Sequence, residues 1–222
     1  MAEIAFRDPV RGDIGPLSKI ADDEWRFRVY SEEHGLDFAA YYIVKCIHGA
    51  NTASTLTVDG EPCGIVVVGG MPGETLDLSE DLSCYAELLE DLEDFGPCRR
   101  DLVELERIYG EFASRFRESG WAQLTLLLLS DRHKGLGLGR RMLEYASKCA
   151  STAGMKGLYF FTDNECNVGF YDHMGAVRFA EESMVCAGEI LKVYGYYLEF
   201  RPFCIKSTGA RLYRVENIER LP

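Results

Sequence analysis

Leu-Leu-Leu-Ser-Asp-Arg-His-Lys-Gly-Leu-Gly-Leu-Gly-Arg-Arg-Met-Leu, residues 127–143, is the stretch on which the fold turns. The apolar run 123–129 reads as a strand. It passes through a polar turn, 130–134, into three alternate glycines, Gly135, Gly137 and Gly139. A helix is predicted from about 139 to 153, with Leu143, Ala146, Cys149 and Ala150 on one face and Gly154 as its stop. Alternate glycines allow backbone conformations that side chains forbid, and they let N–H groups approach a ligand closely. The first amides of the helix lack intrahelical partners and carry the positive end of its dipole. A phosphate or pyrophosphate is the natural occupant, and its charge would offset Arg140 and Arg141 in the first turn. A tight strand-to-helix turn without a ligand is the bland reading of the same residues. Two common phosphate loops are excluded. The dinucleotide fingerprint needs a glycine where Arg140 stands, and the triphosphate loop needs Gly-Lys-Ser/Thr where Gly139 is followed by arginine.

Working outward, residues 157–162 form a second strand candidate, and 167–174 a short helix closed by Gly175. Strand-like runs follow at 177–179, 183–187 and 193–200. Upstream, Ile4–Phe6 reads as a short strand, followed by helical stretches to about Tyr30 and from Asp37 to His48. Two apolar runs, 53–58 and 64–68, flank Asp59-Gly60, a strong hairpin signal. Strands alternating with helices indicate an α/β layer arrangement. The composition shifts between 71 and 98, where nine acidic residues occur with no Lys or Arg. Leu82, Tyr85, Leu89 and Leu92 share one helical face there. Leu102, Leu105, Tyr109, Phe112 and Phe116 repeat the spacing after Gly96-Pro97. Two amphipathic helices over roughly 79–118 are expected, inside an insertion of about 71–120 between the third and fourth strands.

The whole chain has 222 residues, with 24 Lys+Arg against 36 Asp+Glu and a net charge of -12. Its hydrophobic fraction of 47% excludes intrinsic disorder. The acidity argues against nucleic acid and anionic membrane surfaces as partners. The longest strongly apolar run, 124–129, is far too short to span a bilayer, and the first ten residues carry no secretory h-region. Eight cysteines lack any CxxC pair or Cys/His cluster, so they read as reduced thiols in a cytoplasmic protein without a metal.

Residues 127–143 resemble the acetyl-CoA-binding motif of the GNAT N-acetyltransferases, Arg/Gln-x-x-Gly-x-Gly/Ala. Lys134 takes the Arg/Gln position, and Gly137 and Gly139 match the glycines. Residues 164–176 resemble the family's next element, Asn-x6-Tyr-x3-Gly-Phe, with Ala176 replacing the aromatic. Clear similarity covers about 120–180. The resemblance implies a single GNAT-like α/β domain over 1–222, with a central mixed, mostly antiparallel sheet flanked by helices. The 71–120 insertion lies outside the usual pattern.

The resemblance also implies a reaction. Acetyl-CoA is the expected co-substrate, and the acetyl group passes to a primary amine of a small molecule or protein by direct attack in a ternary complex. Leu127, Leu128 and Leu129 would offer backbone groups to pantetheine from a strand that separates from its neighbour. Lys134, Gly135, Leu136, Gly137, Leu138, Gly139 and Arg140 would cradle the pyrophosphate. Asn164 aligns with an asparagine that contacts the cofactor, and Tyr171 with a tyrosine that acts as general acid towards the thiolate. Tyr30, Glu32 and Glu33, with Tyr41 and Tyr42, are candidate acceptor contacts. The base is unassigned: Glu32, Glu33, Asp131 and a water relay all stay open. Homodimers are common in the family. Two other readings keep the fold, namely transfer of a longer acyl group and a non-catalytic acyl-CoA sensor.

Overall fold

Seven strands build one sheet: β1 (Ile4–Arg7), β2 (Thr52–Val58), β3 (Glu61–Gly69), β4 (Ala122–Leu129), β5 (Gly157–Asp163), β6 (Val177–Cys186) and β7 (Glu189–Glu199). The computed structural model describes residues 2–116 and 120–200, with the short strand residues 202–203 and 212–213. The strand order is β1-β2-β3-β4-β5-β7-β6. Every pairing is antiparallel except β4 with β5. The mixed, mostly antiparallel α/β architecture agrees with the sequence reading.

The parallel pair decides where a site can form. β4 and β5 register only at Ala122↔Leu158 and Gln123↔Tyr159. Beyond Gln123 the strands part, so the β5-facing peptide groups of β4 have no strand partner there. On its other edge β4 stays paired with β3 through Gly64↔Leu129, with Thr125 as an extra, bulged residue.

Both faces of the sheet are covered. The helix α5 (Leu138–Thr152) buries Leu138, Met142, Leu143, Ala146 and Ala150 against one face, and α6 (Val168–His173) packs beside it. On the opposite face, α1 (Ile14–Trp25) and α2 (Gly35–Ile47) bury Leu17, Phe38, Ile43 and Ile47. This two-sided burial explains why β3 reads as a nearly continuous apolar run rather than an alternating one.

The insertion is helical as expected, with α3 (Ser79–Glu90) and α4 (Phe95–Ala113) between β3 and β4. Leu89, Phe95 and Cys98 join the α1/α2 core. Further along α4, Ile108 and Phe112 pack with Met184 and Val193 of the β6–β7 hairpin. One helix therefore reaches across the gap where the sheet splays.

Two boundaries differ from the sequence reading. The runs predicted at 177–179 and 183–187 belong, up to Cys186, to one strand, β6, whose exposed Glu181 and half-buried Glu182 interrupt the apolar pattern without interrupting the pairing. The strand is tolerant of them because it is an edge strand and bulges at Phe179. The first helix ends at Trp25 rather than Tyr30. Arg26 adopts a left-handed conformation at φ 52°, its N–H bonds the Asp22 carbonyl at 2.7 Å, and a 3-10 turn follows. The last residues of the predicted 79–118 helical region, and Cys204, lie outside the described residues.

Candidate active site

The turn after β4 is built as its glycines suggest. Gly135 and Gly137 have φ of 78° and 75°, a region that L side chains rarely adopt. Gly137 is the N-cap of α5 and offers no side chain to its amides. The first-turn amides therefore face outward with the positive end of the dipole. An added Cβ at either glycine would meet nothing within 4 Å, so the space above the turn is open. That open space and those donors fit an anionic group such as a pyrophosphate.

A cavity of about 530 Å³ lies over this turn. Leu127, Leu128, Leu129, Lys134, Gly135, Gly137, Gly139 and Arg140 all line it. Leu136 and Leu138 do not: Leu136 is exposed, and Leu138 is buried in the core beneath the turn. Lys134 is not a free cation. Its Nζ sits 2.7 Å from Glu24 and 2.6 Å from Asp131. The ammonium also holds the Asp131 carboxyl below its ordinary range. Asp131 is thus committed at the turn, which removes it from the open list of bases.

Asn164 sits elsewhere than the motif implies. Its side chain accepts from the Lys192 N–H at 2.6 Å and ties the end of β5 to β7. Asn167 lines the cavity instead, and its Oδ1 caps α6 by accepting from the Phe170 N–H at 3.2 Å. That cap sets the helix that carries Tyr171.

A second cavity, about 350 Å³, lies on the α1/α2/α4 side. It shares Trp25, Leu127, Cys166 and Tyr171 with the first, so the two meet at the parting of β4 and β5. Tyr171 stands at the junction, its ring packed on Phe160 with centroids 4.6 Å apart. Burial drives its phenol well above the ordinary value, and the neighbouring Cys166 and Asp163 add to the effect. The phenol therefore stays protonated at neutral pH and can serve as a donor.

The walls of the second cavity are largely aromatic, including Trp25, Phe27, Tyr42, Tyr109 and Phe161. Tyr109 of α4 stacks on Phe161 of β5 at 4.7 Å, which makes the insertion part of the wall. Tyr30 lines it too, with its hydroxyl donating to Asp101 Oδ2 at 2.7 Å. Asp101 Oδ2 also accepts from the Ala187 N–H at 2.8 Å. Tyr42 lines the cavity, while Tyr41 packs edge-on against Phe95. Glu32 and Glu33 are exposed and do not line either cavity.

The sequence reading missed Asp163, the last residue of β5. It is 8% exposed, and its Oδ1 accepts from the N–H groups of Glu165 at 2.9 Å and Cys166 at 3.1 Å. Burial raises its pKa against the pull of those bonds. A polar residue directly after the apolar run 157–162 was its only signal. Among the described residues no group of His, Cys, Asp and Glu could hold a metal ion, and no helix is long and apolar enough to cross a membrane.

No protein-family model matches the chain, and no curated protein matches its sequence. Solved structures do. An acetyltransferase structure from Desulfovibrio desulfuricans, assigned to the GNAT family, superposes with a TM-score of 0.51 at 15% identity, covering 89% of this chain and 99% of that one. A GCN5-related N-acetyltransferase from Rhodopseudomonas palustris gives 0.53 at 14% identity, covering 90% and 97%. The ribosomal-protein-S18-alanine N-acetyltransferase of Escherichia coli gives 0.51 at 12% identity, covering 96% and 100%. The fold is that of the GNAT N-acetyltransferases.

Proposed function

We propose that the protein is an acetyl-CoA-dependent N-acetyltransferase acting on a primary amine of a small molecule or protein, by direct attack in a ternary complex. One observation carries the reading: a cavity over a phosphate-suited turn and a cavity on the opposite side of the sheet meet at Leu127 and Tyr171, where β4 and β5 part. A thioester reaching through that gap would lie between the unpaired edge of β4 and the Tyr171 phenol.

The chain's own groups then divide the work. The first amides of α5, with Arg140 at the rim, bind the pyrophosphate. Peptide groups of Leu127, Leu128 and Leu129 hold the pantetheine arm, and one of their N–H groups stabilises charge developing on the thioester oxygen. Lys134 shapes the turn through Glu24 and Asp131 rather than supplying free charge. Tyr171 gives its proton to the departing thiolate. Asn164 acts by fixing the end of β5, and Asn167 takes the cavity-facing place. The aromatic cavity receives the acceptor.

Isothermal titration with acetyl-CoA, coupled to a thiol-release assay over a panel of amines, tests the reading. Saturable binding with amine-dependent coenzyme A formation is expected. At about 100 times its dissociation constant, acetyl-CoA would add roughly 2.7 kcal/mol to stability. Binding without thiol release across the panel would make the protein a sensor instead.

A further inference from the structure

We infer that Asp163 receives the acceptor's ammonium group and takes its proton, and that the acceptor is a small primary amine with one cationic centre and an apolar body. This rests on the acetyl-transfer reading above.

Four carboxylates line the acceptor cavity: Asp101, Glu106, Asp163 and Glu165. Two already pair with cations, and a third is only half-buried. Glu106 pairs with Lys45, the cavity's own cation. Glu165 Oε1 lies 2.6 Å from Arg26 Nη2. Asp101 holds the Tyr30 hydroxyl and the Ala187 N–H on one oxygen. Asp163 is the most buried of the four, and among the described residues it forms no ion pair. Its backbone hydrogen bonds both fall on Oδ1, and among the described residues the Cys166 thiol is its only other hydrogen-bonding neighbour.

A carboxylate placed among aromatic rings, without a cation, is an unfinished arrangement. An ammonium group entering the cavity would complete it. Burial has already raised the Asp163 pKa, which brings it closer to that of a working base. Thr162, on the same strand, adds a buried hydroxyl beside the Cys166 thiol. Tyr171 borders the same space, so base and acid flank the point where the cavities meet. One buried carboxylate without a cation suits one positive charge, whereas a polyamine would leave further charges among Tyr42, Tyr109 and Phe161.

The proton balance closes. The ammonium gives one proton to Asp163, and the free amine attacks the thioester carbon. The N–C bond forms and the C–S bond breaks, with Tyr171 protonating the thiolate. The nitrogen's second proton replaces the one Tyr171 gave. Asp163 returns its proton to water, so amide, coenzyme A and one proton leave.

The test uses acetyl-CoA titration, thiol release and thermal shift on the full chain. 2-Phenylethylamine should exceed spermidine and a lysine-bearing peptide in kcat/KM by at least about tenfold. Asp163→Asn keeps the Oδ1 acceptor, so it should bind acetyl-CoA as the parent does while kcat/KM falls by about 100-fold or more. If the parent binds acetyl-CoA and turns over but prefers the polyamine or peptide, the acceptor class is overturned. If Asp163→Asn turns over within threefold of the parent, the base is overturned. If Asp163→Asn does not fold, the parent saturated with coenzyme A decides: protection by 2-phenylethylamine but not by 2-phenylethanol supports the ammonium site, and equal protection overturns it. Failure to bind acetyl-CoA at all would remove the acetyl-transfer reading itself.

Discussion

Tyr171 owes its proposed role to its surroundings rather than to its chemistry alone. Free phenols and thiols differ by little more than a unit in pKa, so either could hold a shared proton. Burial next to Asp163 and Cys166 raises the Tyr171 pKa, which keeps the proton available until a thiolate forms. Tyr171→Phe should lower turnover by about 100-fold or more while leaving acetyl-CoA affinity within a factor of two, checked by steady-state kinetics and calorimetry. Asp13 shows the opposite use of a carboxylate. It is 2% exposed, binds Arg7 at 2.6 and 2.7 Å, and accepts from the Val10 N–H and the Thr55 hydroxyl, both at 3.0 Å. The Arg7 bonds, foremost, hold its pKa below the ordinary carboxylate value. A lowered folded pKa means stability that is full above the unfolded value, about 4, and lost as pH falls through the folded one. Asp13→Ala should cost roughly 3 kcal/mol at pH 7 in urea unfolding, and the difference from the parent should shrink as pH falls below the ordinary carboxylate value.

Among the elements, β4 is held to its path by a glycine across the ladder. A Cβ at Gly64 would stand 2.4 Å from the Leu128 carbonyl oxygen and 3.3 Å from the Leu129 Cα. Backbone must move to admit it. Gly64→Ala should therefore destabilise the fold by about 1–3 kcal/mol and also weaken acetyl-CoA binding, since the displaced strand is the proposed pantetheine edge. Calorimetry separates the two effects. Elements of this kind were legible in the sequence because their signals are local. The 127–143 strand, glycine turn and helix carry period, punctuation and cap within seventeen residues, and Asp59-Gly60 marks its own hairpin. Asp163 was not legible, because its importance depends on α4 lying over β5, a contact between segments fifty residues apart. For Asn164 the motif points to the loop beside the cavity, and its side-chain bond to β7 is a long-range contact the sequence does not show. Glu32 and Glu33 lie in the loop between the first two helices, where the resemblance implies acceptor contacts, and only the three-dimensional arrangement shows them facing solvent.

At the scale of the whole molecule, charge and cavity separate. The nine acidic residues of 71–98 are exposed apart from Asp81, which is half-buried, and none lines the acceptor cavity. The acidic stretch is therefore a solvated surface, while the insertion's contribution to the site comes from α4 through Tyr109. Replacing Glu87, Glu90 and Asp91 by their amides should leave KM for the amine within twofold at moderate salt, because they are exposed, do not line the cavity, and salt screens solvent-exposed charges over roughly 10 Å. A tenfold rise in KM would bring that surface into substrate capture. The parting of β4 and β5 has a kinetic consequence as well. On the proposed reading, the two cavities that meet there would give the two substrates separate doors. Spent coenzyme A would then leave past α5 while the acylated product left under α4, and neither would have to wait for the other to clear a common corridor. Product inhibition patterns should then show each product competing with its own substrate alone.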